Sequence, residues 1–243
     1  MSPGVAVVTG GGRGIGAATS RRLAADGWTV CVGYRADVDA ATAVARECGG
    51  HAVGGDVSSP DDVAALFVAA DELGPIRLLV NNAGIVDART RVDEMTPTRL
   101  ERMFAVNVLG AFLCAGEAVR RMSTKHGGDG GSIVNVSSIA SRLGSPGEYV
   151  DYAASKAAVD TMTIGLAREV ADEGIRVNVV RPGIVDTEIH ASGGQPDRAQ
   201  RMASSIPMGR AGTAEEIAEA IAWLASPAAS YVSGAVLDAS GAR

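Results

Sequence analysis

Val5-Ala6-Val7-Val8-Thr9-Gly10-Gly11-Gly12-Arg13-Gly14-Ile15-Gly16 places a short apolar run, a glycine cluster and a helix start in one continuous segment. The run at 5–9 reads as a strand buried on both faces. From Gly14 onward, Ile15, Ala18 and Leu23 fall near helical spacing, and Gly27 stops a helix predicted over 14–26. Glycines between strand and helix let backbone approach a pyrophosphate closely. The helix start adds unpaired N–H groups and the positive end of its dipole. Gly10, Gly14 and Gly16 follow T-G-x-x-x-G-x-G rather than the common G-x-G-x-x-G. A tight turn without ligand is the plainer alternative. The position between strand and helix favours dinucleotide binding.

Working outward, the alternation continues. Residues 29–33 read as a second strand, 38–48 as an alanine-rich helix closed by Gly49-Gly50, and 52–54 as a third strand. Ser58-Ser59-Pro60 announces a helix over 61–73 with acids in its first turn. A strand at 78–80 ends at Asn81-Asn82-Ala83-Gly84, and Thr96-Pro97 starts a long helix reaching about residue 123. A loop at 127–131, a strand at 133–136, a helix at 152–173 and a strand at 177–180 ending at Pro182-Gly183 follow. A short helix to about 205, a helix at 214–225 and a strand at 235–237 complete the pattern. Apolar strands alternating with helices predict an α/β fold: a mostly parallel sheet of about seven strands with helices on both faces. No Pro- or Ser-rich linker divides the chain, so 1–243 reads as a single doubly wound domain. Its crevice should lie beyond the carboxyl ends of the strands.

Composition narrows the function. The chain has 243 residues, a net charge of −6, 47% hydrophobic residues, 4% aromatic residues and 31 glycines. Its core must be Ala, Val, Leu and Ile, with helices lying close to the sheet. The acidic balance provides no electrostatic footprint for nucleic acid. No run of about 18 apolar residues predicts a membrane span, and Met1-Ser2-Pro3-Gly4 lacks the basic region of a signal peptide. Cys31, Cys48 and Cys114 have no metal or redox spacing and read as reduced thiols of a cytoplasmic protein. His51, His126 and His190 lie far apart, so no metal site is expected.

Tyr152-Ala153-Ala154-Ser155-Lys156 sets a phenol and an ammonium at i and i+4 on one helix face. A free tyrosine titrates at about 10, too high for an efficient base at neutral pH. A nearby ammonium favours the phenolate and lowers that value. The pair suits a group that exchanges a proton with a carbonyl or alcohol; a half-buried core tyrosine is the plainer reading. Tyr149 has only Ala153 at i+4. Ser138 follows a strand end, where a hydroxyl can donate to an oxygen gathering charge. Ser137 points elsewhere if the strand alternation persists. Asn107 is a poor helix-interior residue and marks either an irregularity or a polar role. At the end of the second strand an acid would bind the adenosine ribose 2′-hydroxyl, and a base would accommodate a 2′-phosphate. Tyr34-Arg35 stands there, while Asp37 lies just beyond and could cap the next helix.

In order, the glycine motif, Asp56-Val57, Asn81-Asn82-Ala83-Gly84, Asn107, Ser138, Tyr152 with Lys156, and Pro182-Gly183 resemble the classical short-chain dehydrogenase/reductase family over essentially the whole chain. The pattern looks like its ketoacyl-carrier-protein reductases and its glucose or polyol dehydrogenases. The resemblance implies a Rossmann domain, a homotetramer with the two long helices at one interface, and the catalytic set Asn107, Ser138, Tyr152 and Lys156. It implies cofactor contacts from Gly10, Gly12, Arg13, Gly14, Ile15, Gly16, Tyr34, Arg35, Asp56, Val57, Asn82, Ala83, Gly84, Tyr152, Lys156, Pro182, Gly183, Ile184 and Thr187. Lys156 would also hold the nicotinamide ribose, and a water held by Asn107 would link Lys156 to solvent. Arg13 would join Arg35, and two guanidiniums hold a phosphate dianion well, so NADP(H) is expected over NAD(H).

The expected reaction is hydride transfer between NADP(H) and a small carbonyl or secondary alcohol. Ser138 and Tyr152 would polarise the oxygen, and Tyr152 would supply the proton. Residues 187–210 would cover the substrate, hinged at Gly193-Gly194 and carrying Ile189, His190, Gln195, Met202, Ile206 and Met208. Arg142 and Glu148 are further candidates for substrate contact. An NADP(H)-binding sensor with little catalysis is the alternative, and the complete catalytic set argues against it.

Overall fold

In the computed structural model, which describes residues 3–243 apart from the side chains of His190 and Ser192, the opening segment forms β1 (Val5–Val8), the glycine loop and α1 (Gly14–Ala25). Met1 and Ser2, and the part that His190 would play over the substrate, lie outside the described residues. There follow β2 (Thr29–Tyr34), α2 (Val38–Glu47), β3 (His51–Gly54), α3 (Pro60–Asp71) and β4 (Ile76–Asn81). A helical arm comes next: α4 (Pro97–Phe104), a π-helical turn (Ala105–Leu109) and α5 (Gly110–Met122). The remainder is β5 (Gly131–Val136), α6 (Ala140–Leu143), α7 (Val150–Glu169), β6 (Ile175–Pro182), α8 (Ile189–Ser192), α9 (Arg198–Met202), α10 (Ala214–Ala225) and β7 (Val236–Ala239).

The strands pair in parallel in the order β3-β2-β1-β4-β5-β6-β7. The chain builds outward from β1 to β3, then returns to place β4 on the other side of β1. The loops leaving β1 and β4 therefore diverge, and a crevice opens between them. The doubly wound single domain expected from the alternation is the observed fold.

The pleat sorts the core. Val5 and Val7 face a layer built by Phe67 of α3 and Cys114, Ala118 and Met122 of α5. Ala6 and Val8 face the opposite layer, built by Leu23 of α1, Val44 of α2 and Ile221 of α10. A buried polar line crosses the first layer: Asn81 Nδ2 donates to Asn135 Oδ1 at 3.0 Å, and Asn135 Nδ2 donates to Thr163 Oγ1 at 2.8 Å. It ties β4 and β5 to α7.

Several elements differ from the expectation, among them α8, an added helix that precedes the glycine pair. The helix predicted over 97–123 is split by the π turn around Asn107, whose side chain is drawn into tertiary hydrogen bonds. The helix predicted over 152–173 ends at Glu169, and a 3₁₀ turn (Ala171–Glu173) turns the chain into β6. There Ser123 Oγ donates to Glu173 Oε2 at 2.5 Å, fixing that turn. The segment α6 was too short to show a period. The helical span Pro97–Met122 has 26 residues and a mean hydropathy of 1.4 over its most apolar window, enough by length and composition to cross a membrane. However, Met103, Val106, Cys114, Ala118 and Met122 are buried, and the arm packs on β4, α3 and α7, so it is a flank of the sheet.

Candidate active site

The glycine loop folds back on the first turn of α1. Gly10 (φ +62°) and Gly14 (φ +50°) lie in the left-handed region. A Cβ at Gly16 would stand 2.1 Å from the Gly10 carbonyl oxygen and 2.6 Å from Asn82 Nδ2, so this position excludes any side chain. The start of α1 has no side-chain cap and no acid in its first turn. This is the chemistry a pyrophosphate requires: close backbone, uncapped N–H groups and no competing carboxylate. The loop after β4 is stitched to it. Thr9 Oγ1 accepts the N–H groups of Asn82 and Ala83, both at 3.0 Å. Asn82 Nδ2 donates to the carbonyls of Thr9 and Gly10, again both at 3.0 Å. The dinucleotide cradle is thus built from the glycines together with the β4 loop.

Two cavities of about 370 Å³ each open at the carboxyl ends of the strands. Gly10, Gly12, Arg13, Gly14, Tyr34, Arg35, Asp56, Val57 and Ala83 line the first. Ser138, Tyr152, Lys156, Pro182, Gly183 and Ile184 line the second. Ile15, Asn82, Gly84 and Thr187 face both, so the two form one continuous cleft. Gly16 shapes the loop from behind, and Asn107 lies buried beneath the floor.

At the ribose end, Arg35 Nε pairs with Asp56 Oδ2 at 2.8 Å, and Arg13 Nη1 lies 3.7 Å from Asp37 Oδ2. Burial pushes the Asp56 carboxyl up, yet two hydrogen bonds from Ser58 and the Arg35 guanidinium hold it below its ordinary value. Asp37 Oδ1 accepts the Ala40 N–H at 3.1 Å, so Asp37 caps α2.

At the second cavity, the two serines divide as strand alternation predicts. Ser137 Oγ donates to the Lys156 carbonyl at 3.0 Å and locks α7 onto β5. Ser138 lines the same cavity as Tyr152, and its hydroxyl acts to lower the phenol's pKa. Lys156 corrects the sequence expectation. Its Nζ donates to the Val136 carbonyl at 2.8 Å and stands 5.8 Å from the centre of the Tyr152 ring. With the ammonium turned to that carbonyl, burial dominates and raises the Tyr152 pKa, and the Ser138 hydroxyl only partly opposes it. Burial also lowers Lys156 from 10.5 to about 8, against the field of Asp160.

Asn107 is held on both sides. Its Oδ1 accepts the Ile85 N–H at 2.8 Å, and its Nδ2 lies 3.0 Å from both the Ile85 carbonyl and Ser155 Oγ. Its amide thus fixes the β4 loop to α7, and Oδ1 keeps a second lone pair. Gly84 allows that approach: a Cβ there would come 3.2 Å from Lys156 Nζ and 3.4 Å from Asn107 Oδ1.

Of the further candidates, Arg142 turns away to pair with Asp238, while Glu148 lines the second cavity. Sequence reasoning passed over Tyr149 because its i+4 residue is alanine. Tyr149 lines that cavity, accepts a hydrogen bond from Gln195 and lies 5.3 Å beneath the Arg198 guanidinium. Arg198 itself had no local signal, since its partners come from distant loops.

The lowered pKa of Lys156 has a stability consequence. Between about pH 8 and its ordinary 10.5 the unfolded chain holds this proton more firmly than the folded one. Folding is therefore penalised fully below about 8, and the penalty fades as pH rises toward 10.5. Lys156→Met is expected to raise the thermal midpoint at pH 7, with the gain shrinking toward pH 10. A variant less stable than the parent at pH 7 would contradict this account.

Fold and cleft together define a dinucleotide-binding oxidoreductase. The family described as enoyl-(acyl carrier protein) reductase matches residues 10–241. An uncharacterized oxidoreductase of Escherichia coli K12, YgfF, is 54% identical over 98% of this chain and 99% of its own. The cis-4-hydroxycyclohexanecarboxylate dehydrogenase of Sinomonas cyclohexanicum is 43% identical, over 98% of this chain and 95% of its own. The 3-ketoacyl-(acyl-carrier-protein) reductase of Brucella melitensis, solved with NADH, superposes with a TM-score of 0.93 at 33% identity, covering 100% of this chain and 98% of that one. The chain belongs to the short-chain dehydrogenase/reductase family. It is an oxidoreductase of the alcohol and carbonyl type that uses a nicotinamide cofactor.

Proposed function

We propose that the protein is an NADP(H)-dependent carbonyl reductase, or in reverse a secondary-alcohol dehydrogenase, with Tyr152 as its acid/base. One observation carries this reading: Ser138, Tyr152 and Lys156 line one cavity, with Lys156 Nζ 5.8 Å from the centre of the Tyr152 ring. A bound nicotinamide supplies the hydride. Ser138 and Tyr152 hold and polarise the substrate oxygen, and Tyr152 gives it a proton as charge builds. The raised pKa keeps Tyr152 protonated at neutral pH, the form reduction requires. Lys156 holds the ribose and keeps a positive charge near the phenol. Pro182, Gly183, Ile184 and Thr187 flank the nicotinamide end, and residues 187–210 cover the substrate. The Sinomonas dehydrogenase and the Brucella reductase, by their names, act on an alcohol and a ketone, and both support this class.

The preference for NADP(H) rests on the ribose end. Asp37 is committed to its helix cap, Arg35 spends only Nε on Asp56, and the Arg13 pair is long at 3.7 Å. Both guanidiniums therefore retain donors for a 2′-phosphate. NAD(H) is the second reading, favoured by the NADH bound to the Brucella reductase. The test is consumption of NADPH and NADH with a panel of ketones, ketoacyl thioesters, quinones and sugars. NADPH is expected to win by at least about tenfold in kcat/KM, and Arg35→Ala to erase most of that margin. If NADH wins in the unmodified protein, the cofactor assignment is wrong. Tight NADPH binding without turnover of any carbonyl would identify a sensor instead.

Assembly belongs to the same reading. Leu100, Phe104, Leu109 and Phe112 are exposed along the helical arm and support a homotetramer built on α4, α5 and α7. Sedimentation as a monomer would exclude it. The buried thiols of Cys31 and Cys114, pushed up to about 12, are kept from forming thiolates, which fits a reducing cytoplasm.

A further inference from the structure

The wall of the substrate cavity is largely apolar, with Val86, Ile139, Leu143, Ile184 and Met202 on it. Two guanidiniums interrupt it, those of Arg198 and Arg243. Arg198 of α9 has a side chain only 13% exposed, and its guanidinium lies 5.3 Å over the Tyr149 ring. Its Nη2 donates to Glu148 Oε2 at 2.7 Å. The other oxygen of Glu148, Oε1, is taken by Arg89 at 3.1 Å. Two guanidiniums thus share one carboxylate, which leaves one positive charge in excess. Among the described residues, Arg198 Nε and Nη1 donate to no protein acceptor, and Glu148 is the only acidic side chain lining the cavity. A shielded cation with unused donors calls for an anion. A planar fork of N–H groups matches a carboxylate best.

We propose that the substrate carries a carboxylate apart from its reacting carbon and that Arg198 receives it, so that the enzyme interconverts a keto acid and a hydroxy acid. This rests on the carbonyl-reductase reading of the same cavity. Tyr149, on which Arg198 stacks, is the N-cap of α7 and stands three residues before Tyr152, both on the same cavity. A substrate reaching both points would carry its carboxylate on a carbon frame apart from the carbonyl. Tyr149 and the apolar wall would enclose that frame. Glu148 and Arg89 position Arg198 from behind.

The probes are 4-oxopentanoate and 5-oxohexanoate, each compared with its methyl ester under saturating cofactor. The unmodified enzyme is expected to favour an acid over its ester by at least about tenfold in kcat/KM, expressed mainly in KM. Arg198→Met should bring that ratio near one, and Arg198→Lys should restore part of it. Circular dichroism confirms that each variant is folded, and the acid-to-ester ratio of the unmodified enzyme decides the matter if a variant fails to fold. Equal use of acid and ester, or reduction of neutral carbonyls with rejection of both acids, overturns the proposal and leaves the carbonyl-reductase reading standing. Absence of activity on every carbonyl removes that reading as well.

Discussion

Tyr152→Phe is expected to lower kcat for carbonyl reduction by about 10²–10⁴-fold while changing the dinucleotide Kd by less than about threefold. The substitution removes one oxygen and leaves the ring in place. That oxygen lies on the cavity shared with Ser138 and Lys156, and the glycine loop is built from other residues. Burial raises its pKa, so at neutral pH the phenol enters the reaction protonated and ready to donate. The reverse direction must begin from the phenolate, so alcohol oxidation by the unmodified enzyme should climb as pH rises above neutrality. The climb should disappear in Tyr152→Phe. Single-turnover rates under saturating NADPH, together with a fluorescence titration of NADPH binding, separate chemistry from affinity. Near-normal turnover in the variant would remove Tyr152 from the mechanism, and loss of NADPH binding would show that it serves the cofactor instead.

What could be read from the sequence was local and periodic. The apolar runs at 5–9 and 78–80, the glycines at 10–16 and the i, i+4 spacing of Tyr152 and Lys156 depend only on neighbours along the chain. The structure keeps all of them: β1 stops one residue short of the apolar run, and β4 gains two residues at its start and one at its end where backbone pairing outlasts it. What could not be read depends on contacts between distant segments. Lys156 is four residues from Tyr152, yet its ammonium is oriented by the Val136 carbonyl on another element, and that reverses the expected direction of the tyrosine's shift. Asn107 was conspicuous as a poor helix former, but only the fold shows that Ile85 and Ser155 take up its amide. Asp37 had two readings until its hydrogen bond to Ala40 assigned it to the cap. The Arg89–Glu148–Arg198 cluster joins two loops and the start of α9 with no common period, and no sequence window contains it.

Arg99→Met is expected to cost about 3–5 kcal/mol of stability and to lower the thermal midpoint by about 6–20 °C. Arg99 Nε and Nη2 grip the two oxygens of Asp151 at 2.7 and 3.3 Å. The Asp151 side chain is 0% exposed and that of Arg99 10%, so water cannot replace the lost partner. Arg99 Nη1 also donates to the Ala88 carbonyl at 2.6 Å and to Thr90 Oγ1 at 2.9 Å, which ties the β4 loop to the same point. Removing the guanidinium leaves a buried carboxylate unpaired, and that penalty outweighs the modest net value of the intact pair. The double variant Arg99→Met/Asp151→Leu removes the stranded charge and should recover most of the midpoint. Asp151 directly precedes Tyr152 in the first turn of α7. The pair therefore fixes the start of the helix that aims the phenol, and Arg99→Met should lower kcat more than it raises KM. Chemical denaturation of the parent, single and double variants reads the effect. A loss of under about 1 kcal/mol in the single variant, or no recovery in the double, would show that the ion pair does not hold α7 in place.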